Sequence, residues 1–328
     1  MKFSIGIPAY KAIFLKECID SILAQTYIDF ELIVVNDASP EDIDGIINSY
    51  SDSRIRYYKN DENIGAENVV DNWNKCLSLA KGEFFILMGD DDKLCSNYLE
   101  EFMLLINKYP KLGVYHCRTM IIDKNSDFVT LTETRPEIES VYENIWHRMH
   151  VGRIQFISDF VYNTDLLKKN GGYYKIPLAW ASDDISSYIA MDKGIANSNK
   201  PVFMYRRHSH TISSSGNVNL KMKAIQQERE WLEQFLKENN PQTEVDKYIK
   251  KMIASCINKY YIKKLTYTIS DSLKLSLISR FFYWFIVRKK YGISFSMLIY
   301  AVIITIKDVK RGKIYSTPHS YFLENQTV

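Results

Sequence analysis

Polar and apolar residues along the first ninety positions switch repeatedly between two periods. Lys2 to Ala9 (KFSIGIPA) alternates Phe3, Ile5 and Ile7 and stops at Pro8, the pattern of a first strand. Lys11 to Gln25 carries Phe14, Leu15, Cys18, Ile19, Ile22 and Leu23, the stripe of an amphipathic helix. Glu31 to Asn36 (ELIVVN) predicts a second, buried strand, ended by Asp37-Ala38-Ser39-Pro40. A short helix over Glu41–Tyr50, a third strand over Arg54–Lys59 (RIRYYK) and a helix over Ala66–Ala80 follow. Phe84 to Met88 are five consecutive large apolar residues, the mark of a strand covered on both faces. Strands and helices alternating at this pace imply βαβ units, right-handed crossovers and a parallel sheet.

In such a sheet ligands sit outside the carboxyl ends of the strands. The breaks holding Pro8-Ala9-Tyr10, Asp37, Asn63-Ile64-Gly65 and Gly89-Asp90-Asp91-Asp92 all fall at that one edge. Three adjacent carboxylates repel and raise one another's pKa, so a protein that keeps them together offers them to a cation. Hard oxygen ligands select Mg²⁺ or Mn²⁺, and Mg²⁺ takes one or two protein carboxylates and completes its shell with phosphate oxygens. An acidic turn capping the next helix is the plainer alternative for the same residues. Other nucleotide-binding classes lack their signatures. Gly6-Ile7-Pro8-Ala9-Tyr10-Lys11 is no GxGxxG, no GxxxxGK[ST] occurs, and no Gly- and Arg-rich loop follows the first strand. An aspartyl phosphatase would carry its Asp-x-Asp on the first strand, not the fourth.

Two stretches, FSIGIPAYKAIFLKECIDSILAQTYIDFELIVVNDAS and YYKNDENIGAENVVDNWNKCLSLAKGEFFILMGDDD, resemble family 2 glycosyltransferases of the GT-A fold. The likeness runs over about the first hundred residues and continues more loosely to about Ser214. It implies a Rossmann-like α/β fold, a mostly parallel sheet flanked by helices, with a C-terminal helical extension. Residues 1–216 would form the catalytic domain, with 1–117 binding the nucleotide sugar and 118–216 the acceptor. Residues 217–328 would form the helical extension. Carried onto this chain, Pro8, Ala9 and Tyr10 line the nucleoside pocket, and Asp37 accepts the imide N–H of uracil or thymine. Asn63 and Gly65 lie behind the nucleotide. Asp90 meets the ribose or the metal, Asp91 belongs to the donor-binding set, and Asp92 is the principal ligand of a Mn²⁺ or Mg²⁺ on the diphosphate.

The second half supplies the acceptor side. Leu112–Cys117 and Thr119–Asp123 read as strand, Gly152–Asn163 holds the strand-like FISDFVYN, and Thr164–Asn170 reads as a short helix. Trp180-Ala181-Ser182-Asp183-Asp184 then opens a helix over Ile185–Asp192. The resemblance implies an acidic pair here, usually Glu-Asp, whose second member is the general base; in this chain it is Asp183-Asp184, and Asp184 takes that role. Helix N-capping is the plainer use of either carboxylate, and Trp180 either stacks on a sugar or packs in the core. Val202–Ser214 (VFMYRRHSHTISS) resembles the segment closing the family's site, with Arg206 among the donor-binding residues and His208 on the diphosphate or metal. His210 faces away if the chain stays extended. His147 and His150 have helical spacing but no third ligand, which suits packing or surface.

Charge changes the picture beyond Asn217. The net charge of +3 hides an asymmetry: Asp246–Lys313 holds 15 Lys and Arg against three Asp, +12, which leaves −9 for the rest. That region is helical in pattern and aromatic, with FFYWFIV at Phe281–Val287 followed by RKK. Ser294–Ile306 is 13 uncharged residues, short of the ~20 a spanning helix needs. Basic helices of this kind suit docking on an anionic membrane surface, or packing within the protein or between copies in a homo-oligomer. No aromatic-basic nucleic-acid motif occurs, so nucleic acid is not an expected partner. Five scattered cysteines without CxxC point to a reducing compartment and no zinc site. Without an export signal at its start, the expected place is the cytoplasm, peripheral on the inner face of the membrane. The expected activity is metal-dependent, inverting transfer of a sugar from a UDP- or dTDP-sugar to a saccharide or lipid-linked acceptor in cell-surface polysaccharide synthesis. A GT-A-fold scaffold that has lost turnover is the competing class.

Overall fold

The structure is a computed structural model that describes residues 1–208 and 217–310 of the chain. They divide into two compact units, one of Met1–Asn144 with 154–208, the other of Ile145–Arg153 with 217–310.

The first unit is built on one sheet. Its strands are β1 (Phe3–Ala9), β2 (Phe30–Asn36), β3 (Ile55–Lys59), β4 (Phe84–Leu87), β5 (Lys93–Leu94), β6 (Val114–Ile122), β7 (Phe128–Leu131), β8 (Ile138–Glu139), β9 (Phe160–Asn163) and β10 (Ile195–Arg206). They lie in the order β3-β2-β1-β4-β9-β6-β10-β5, with β7 paired to β6 and β8 to β10. The four strands of the first half run parallel, in a register that sets Ile5 opposite both Leu32 and Ile86. β10 runs parallel to β6 in a second long ladder, while every antiparallel pairing spans only two or three residues.

The apolar run of β4 is explained by its place. It lies inside the sheet beside β1, and Phe84, Phe85, Ile86, Leu87 and Met88 are all buried. Each such side chain contributes about 1.5–3 kcal/mol when fully buried. Gly82 lets this strand in, since a Cβ there would stand 2.5 Å from the backbone carbon of Phe3. Helix α1 (Leu15–Leu23) covers one face with Leu15, Cys18, Ile19 and Ile22 at helical spacing, and α4 (Tyr98–Lys108) adds Tyr98, Leu99, Phe102, Leu105 and Ile106 to the same core. Between them come α2 (Ile43–Asn48) and α3 (Val69–Leu79), and further on α5 (Val141–His150), α6 (Thr164–Lys169) and α7 (Ser182–Ala190).

Three local expectations change. The strand-like stretches Leu112–Cys117 and Thr119–Asp123 are one strand, β6, because β10 pairs along one edge, β9 and then β7 pair along the other, and no Gly or Pro interrupts it. Within FISDFVYN only Phe160–Asn163 is strand; Ile157–Asp159 is a tight helical turn, closed by the Asp159 carboxylate accepting the Phe156 N–H at 2.7 Å. Helix α7 starts at Ser182, so Asp183 and Asp184 lie inside its first turn, where carboxylates meet the positive end of the helix.

The second unit is helical: α8 (Val218–Glu238), α9 (Glu244–Leu275), α10 (Leu277–Val287) and α11 (Phe295–Lys310). The Thr243 hydroxyl starts α9 by accepting the Asp246 N–H at 3.0 Å. Ile253, Ile257, Tyr261, Leu265 and Leu273 of α9 are buried, as are Leu298, Ala301 and Ile304 of α11. Trp284 of α10 is fully buried and meets the Tyr291 ring at 6.0 Å. Lys264 pairs with Glu228, and Lys274 lies 3.2 Å from Asp308, so part of the basic excess is neutralised within the helices. His150, in the short piece of this unit that precedes residue 154, stacks on Trp146 at 4.5 Å. No helix among the described residues is long and apolar enough to cross a membrane.

Candidate active site

The carboxyl ends of β1, β2 and β4 meet through their backbone groups. Asp90, just past β4, accepts the N–H groups of Tyr10 and Lys11 with one oxygen, both at 2.8 Å. The loop after the first strand is thereby tied to the acidic loop after the fourth. Pro8 and Ala9 end β1 against β2, and Tyr10 turns its ring to solvent. Asp37, just past β2, is buried and donates its N–H to the Ala9 carbonyl at 3.0 Å. Its carboxylate holds the next loop, accepting Asn60 Nδ2 at 2.7 Å, the Ile64 N–H at 3.0 Å and Asn63 Nδ2 at 3.2 Å. The turn closes at Gly65, whose φ of +80° is open to glycine and strained for other residues. Asp37 and Asn63, singled out separately in the sequence, are joined by hydrogen bonds in a loop that turns at Gly65.

The far end of β10 reaches the same place. Asp92 is buried, and its Oδ1 accepts the Arg206 N–H at 2.8 Å. The Arg206 Nε donates to the Asp91 carbonyl at 2.8 Å, and its other nitrogens reach Glu17 and the Ser126 hydroxyl at 3.0 Å. The guanidinium lies 4.2 Å from the Phe14 ring centre and is fully buried. Its fork is taken up by protein oxygens and ties the acidic loop to Glu17 and Ser126. His208 meets Asp91 directly, Nε2 to Oδ2 at 2.7 Å, with its ring 5.3 Å from that of Phe14. His210 lies outside the described residues.

The triad is electrostatically loaded. Burial, and after it the charge of Asp91, push Asp90 up to about 6, against the two N–H groups that favour its ionised form. The same two causes hold Asp92 well above the usual carboxylate range. A cation here would relieve both. No group of three or more His, Cys, Asp or Glu side chains converges as a metal cage among the described residues. Among the described residues, Asp90, Asp91 and Asp92 each engage one carboxylate oxygen in hydrogen bonds to protein and leave the other outside them. That donor set fits a hard cation held by one or two carboxylates and completed by phosphate oxygens.

Asp184 is buried, and its Oδ1 accepts Gln155 Nε2 at 2.6 Å. Asp183 precedes it in the same helical turn. The chain enters α7 through Leu178 and Ala179, both left-handed at φ 61° and 52°. Two such residues in succession store backbone strain immediately before the acidic pair. Trp180, half-buried, follows them.

Sequence reading missed Asp159. It is fully buried, accepts the Thr119 hydroxyl and the Phe156 N–H, and lies 3.5 Å from His116 Nε2. Burial pushes it up to about 7; the Thr119 and Phe156 hydrogen bonds oppose this, and the nearby charge of Asp183 adds to it. Its charge in turn raises Asp92, which places it electrostatically between the triad and the α7 pair. The available signal was an acid set among the apolar residues of FISDFVYN, where a buried carboxylate needs partners.

A doubly flanked sheet of this strand order, with carboxylates at its carboxyl edge and an acid-bearing helix in the second half, defines a GT-A-type protein. Solved structures with this fold include Staphylococcus aureus TarS 1–349 in complex with UDP-GlcNAc (TM-score 0.61, 16% identity, covering 95% of this chain and 93% of that one). Another is the mannosyltransferase PcManGT of Pyrobaculum calidifontis in complex with GDP-Man and Mn²⁺ (TM-score 0.54, 15% identity, 94% and 87%). The family model described as Glycosyl transferase family 2 matches residues 4–165, just under half of the chain, and over that stretch the chain belongs to the family. Among curated relatives, an uncharacterised glycosyltransferase of Rickettsia typhi is 38% identical over 125 residues, 38% of each chain. The GalNAc(5)-diNAcBac-PP-undecaprenol beta-1,3-glucosyltransferase of Campylobacter jejuni is 33% identical over 110 residues, 33% of this chain and 35% of the relative. The matched stretch thus spans little more than a third of these relatives.

Proposed function

We propose that the protein transfers a sugar from a nucleoside-diphosphate sugar, UDP- or dTDP-linked, to a hydroxyl of a saccharide or lipid-linked acceptor, with inversion at the anomeric carbon. The observation that carries this reading is the acidic loop Asp90–Asp92, half-buried at Asp90 and Asp91 and buried at Asp92, tied to the β1 loop on one side and to Arg206 and His208 on the other. Such a loop at a strand edge suits the diphosphate of a donor with its divalent cation, Mn²⁺ or Mg²⁺. The cation, when bound, offsets the charge of the departing nucleoside diphosphate. Asp92 and Asp90 would hold it; Asp91 keeps His208 beside the phosphates.

Pro8, Ala9, Tyr10 and the Asp37–Gly65 assembly form the nucleoside side, with Asp37 facing the pyrimidine imide. In the transfer step the acceptor oxygen bonds to the anomeric carbon as the bond from that carbon to the diphosphate oxygen breaks. The acceptor proton passes to Asp184, and the electron pair leaves with the nucleoside diphosphate. Gln155 orients the Asp184 carboxylate for this, and Asp183 supports the same turn. A lipid-linked acceptor is supported by the Campylobacter relative, whose name carries an undecaprenol-linked saccharide.

A thermal-shift panel tests the reading, because a ligand that binds only the folded state raises stability by mass action. UDP- and dTDP-sugars should raise Tm with Mn²⁺ present and much less with chelator, since the incomplete carboxylate set needs the phosphates to hold the ion. No shift with any nucleotide sugar and Mn²⁺ would overturn it.

A further inference from the structure

In the helical unit the apolar residues of α10 and α11 are divided between two sides. Trp284, Leu298, Ala301 and Ile304 are buried, as their spacing requires. Phe282, Phe285 and Ile286 on α10, and Phe295, Ile299 and Ile303 on α11, instead stand 40–77% exposed. They recur at intervals of three, four and eight residues, so they form one stripe on each helix. The two stripes join, since the rings of Phe285 and Phe295 meet edge-on at 6.2 Å. Scattered exposed apolar residues are ordinary, but a joined stripe on two adjacent helices is a surface that something covers.

The charge around it says what. From residue 272 to residue 307 the chain contains six Lys and Arg (Lys274, Arg280, Arg288, Lys289, Lys290, Lys307) and no Asp or Glu. Lys274 is spent on Asp308. Lys289 and Lys290 are exposed at the corner between the two helices. There Arg288 donates to the Phe285 carbonyl at 2.9 Å and lies 4.5 Å from the Phe285 ring centre. A second copy of this surface would bring cations against cations. An anionic bilayer offers apolar depth and negative charge together.

We propose that α10 and the first three turns of α11 form a docking face for an anionic lipid surface. Phe282, Phe285, Ile286, Phe295, Ile299 and Ile303 enter the boundary between headgroups and acyl chains, and Arg288, Lys289 and Lys290 sit at the phosphates. The helices lie on the membrane; neither is long and apolar enough to cross it. This narrows the basic region read from the sequence from Asp246–Lys313 to one corner, because much of α9 turns its apolar side inward. The inference rests on this surface alone and stands whether or not the proposed sugar transfer is right.

The full chain is incubated with vesicles of pure phosphatidylcholine, or of phosphatidylcholine with about a third phosphatidylglycerol, and sedimented. Binding should require the anionic lipid. It should also weaken strongly between about 0.1 M and about 1 M salt, as the screening length falls from about 10 to about 3 Å. Phe282→Ser with Ile286→Ser should lower the partition coefficient at least about tenfold, because large apolar groups no longer enter the boundary. Lys289→Glu with Lys290→Glu should do the same at low salt and little at high salt. All four positions are exposed, and unchanged melting curves would certify the fold of each variant. Three results would each overturn the proposal: full-length protein that stays in the supernatant with anionic vesicles at low salt, variants that bind as well as the parent, or a dimer by sedimentation velocity that the Ser pair dissociates.

Discussion

Replacing Asp159 by Asn gives the protein a pH dependence that can be worked from the structure. The Asp159 side chain is wholly buried, and burial lifts it from an ordinary 3.8 to about 7. The folded state therefore holds this proton more tightly than the unfolded chain does. Its contribution to stability is fully present below about pH 4, where both states are protonated, and is lost as pH rises through about 7. The shift is about three units, each ~1.4 kcal/mol, so about 4 kcal/mol is the ceiling. If half of that is realised, about 2 kcal/mol corresponds to roughly 4–8 °C in a unit of this size. Asn has no proton to lose; its oxygen still accepts the Phe156 N–H, and its amide N–H can donate to the Thr119 oxygen, reversing the bond that Thr119 now donates. Melting curves of parent and Asp159→Asn, measured from pH 4 to pH 8.5 without metal, should diverge. The parent should fall relative to the variant between about pH 4 and pH 7 and run parallel to it above about pH 8. Any constant packing loss from the substitution drops out, because only the change with pH is read. Parallel curves across the whole range would refute the assignment of a buried, protonated Asp159.

Asp184→Asn keeps shape and removes the base, so transfer should fall by about 10²–10⁴-fold while donor affinity measured by calorimetry stays within a few-fold; lost donor affinity would instead make Asp184 structural. Asp92→Ala should abolish transfer yet leave the melting temperature at pH 8 unchanged or higher, since it removes a desolvated charge; full activity in excess chelator would contradict the metal role. Arg206→Lys keeps the charge but loses the fork that reaches Asp91, Glu17 and Ser126, and should cost on the order of 2–3 kcal/mol in urea unfolding. Calorimetry should rank UDP- and dTDP-sugars above GDP-sugars, because Asp37 suits a pyrimidine imide; the reverse order would remove Asp37 from the base-binding role.

The first half of this protein was legible in its sequence because the physics there is local. Periods of two and 3.6 set β1 to β4 and their helices. Burial on both faces made β4 an unbroken apolar run, and the polar breaks at Asp37, Asn63 and Asp90 fall where strands end. The second half was less legible because its pairings are distant. β6 is continuous because β10 holds one edge and β9 and β7 share the other, and nothing in Leu112–Asp123 by itself requires that. The same distance hid the partners of Arg206, whose guanidinium is taken up by Glu17, Asp91 and Ser126, up to 189 positions away. Asp159 shows the limit most plainly. A carboxylate's titration depends on what surrounds it in space, and the sequence shows only what surrounds it along the chain. The basic helices gave their composition and net charge to the sequence reader. Which apolar residues face inward and which stand exposed beside Lys289 and Lys290 was decided by the packing of α10 and α11.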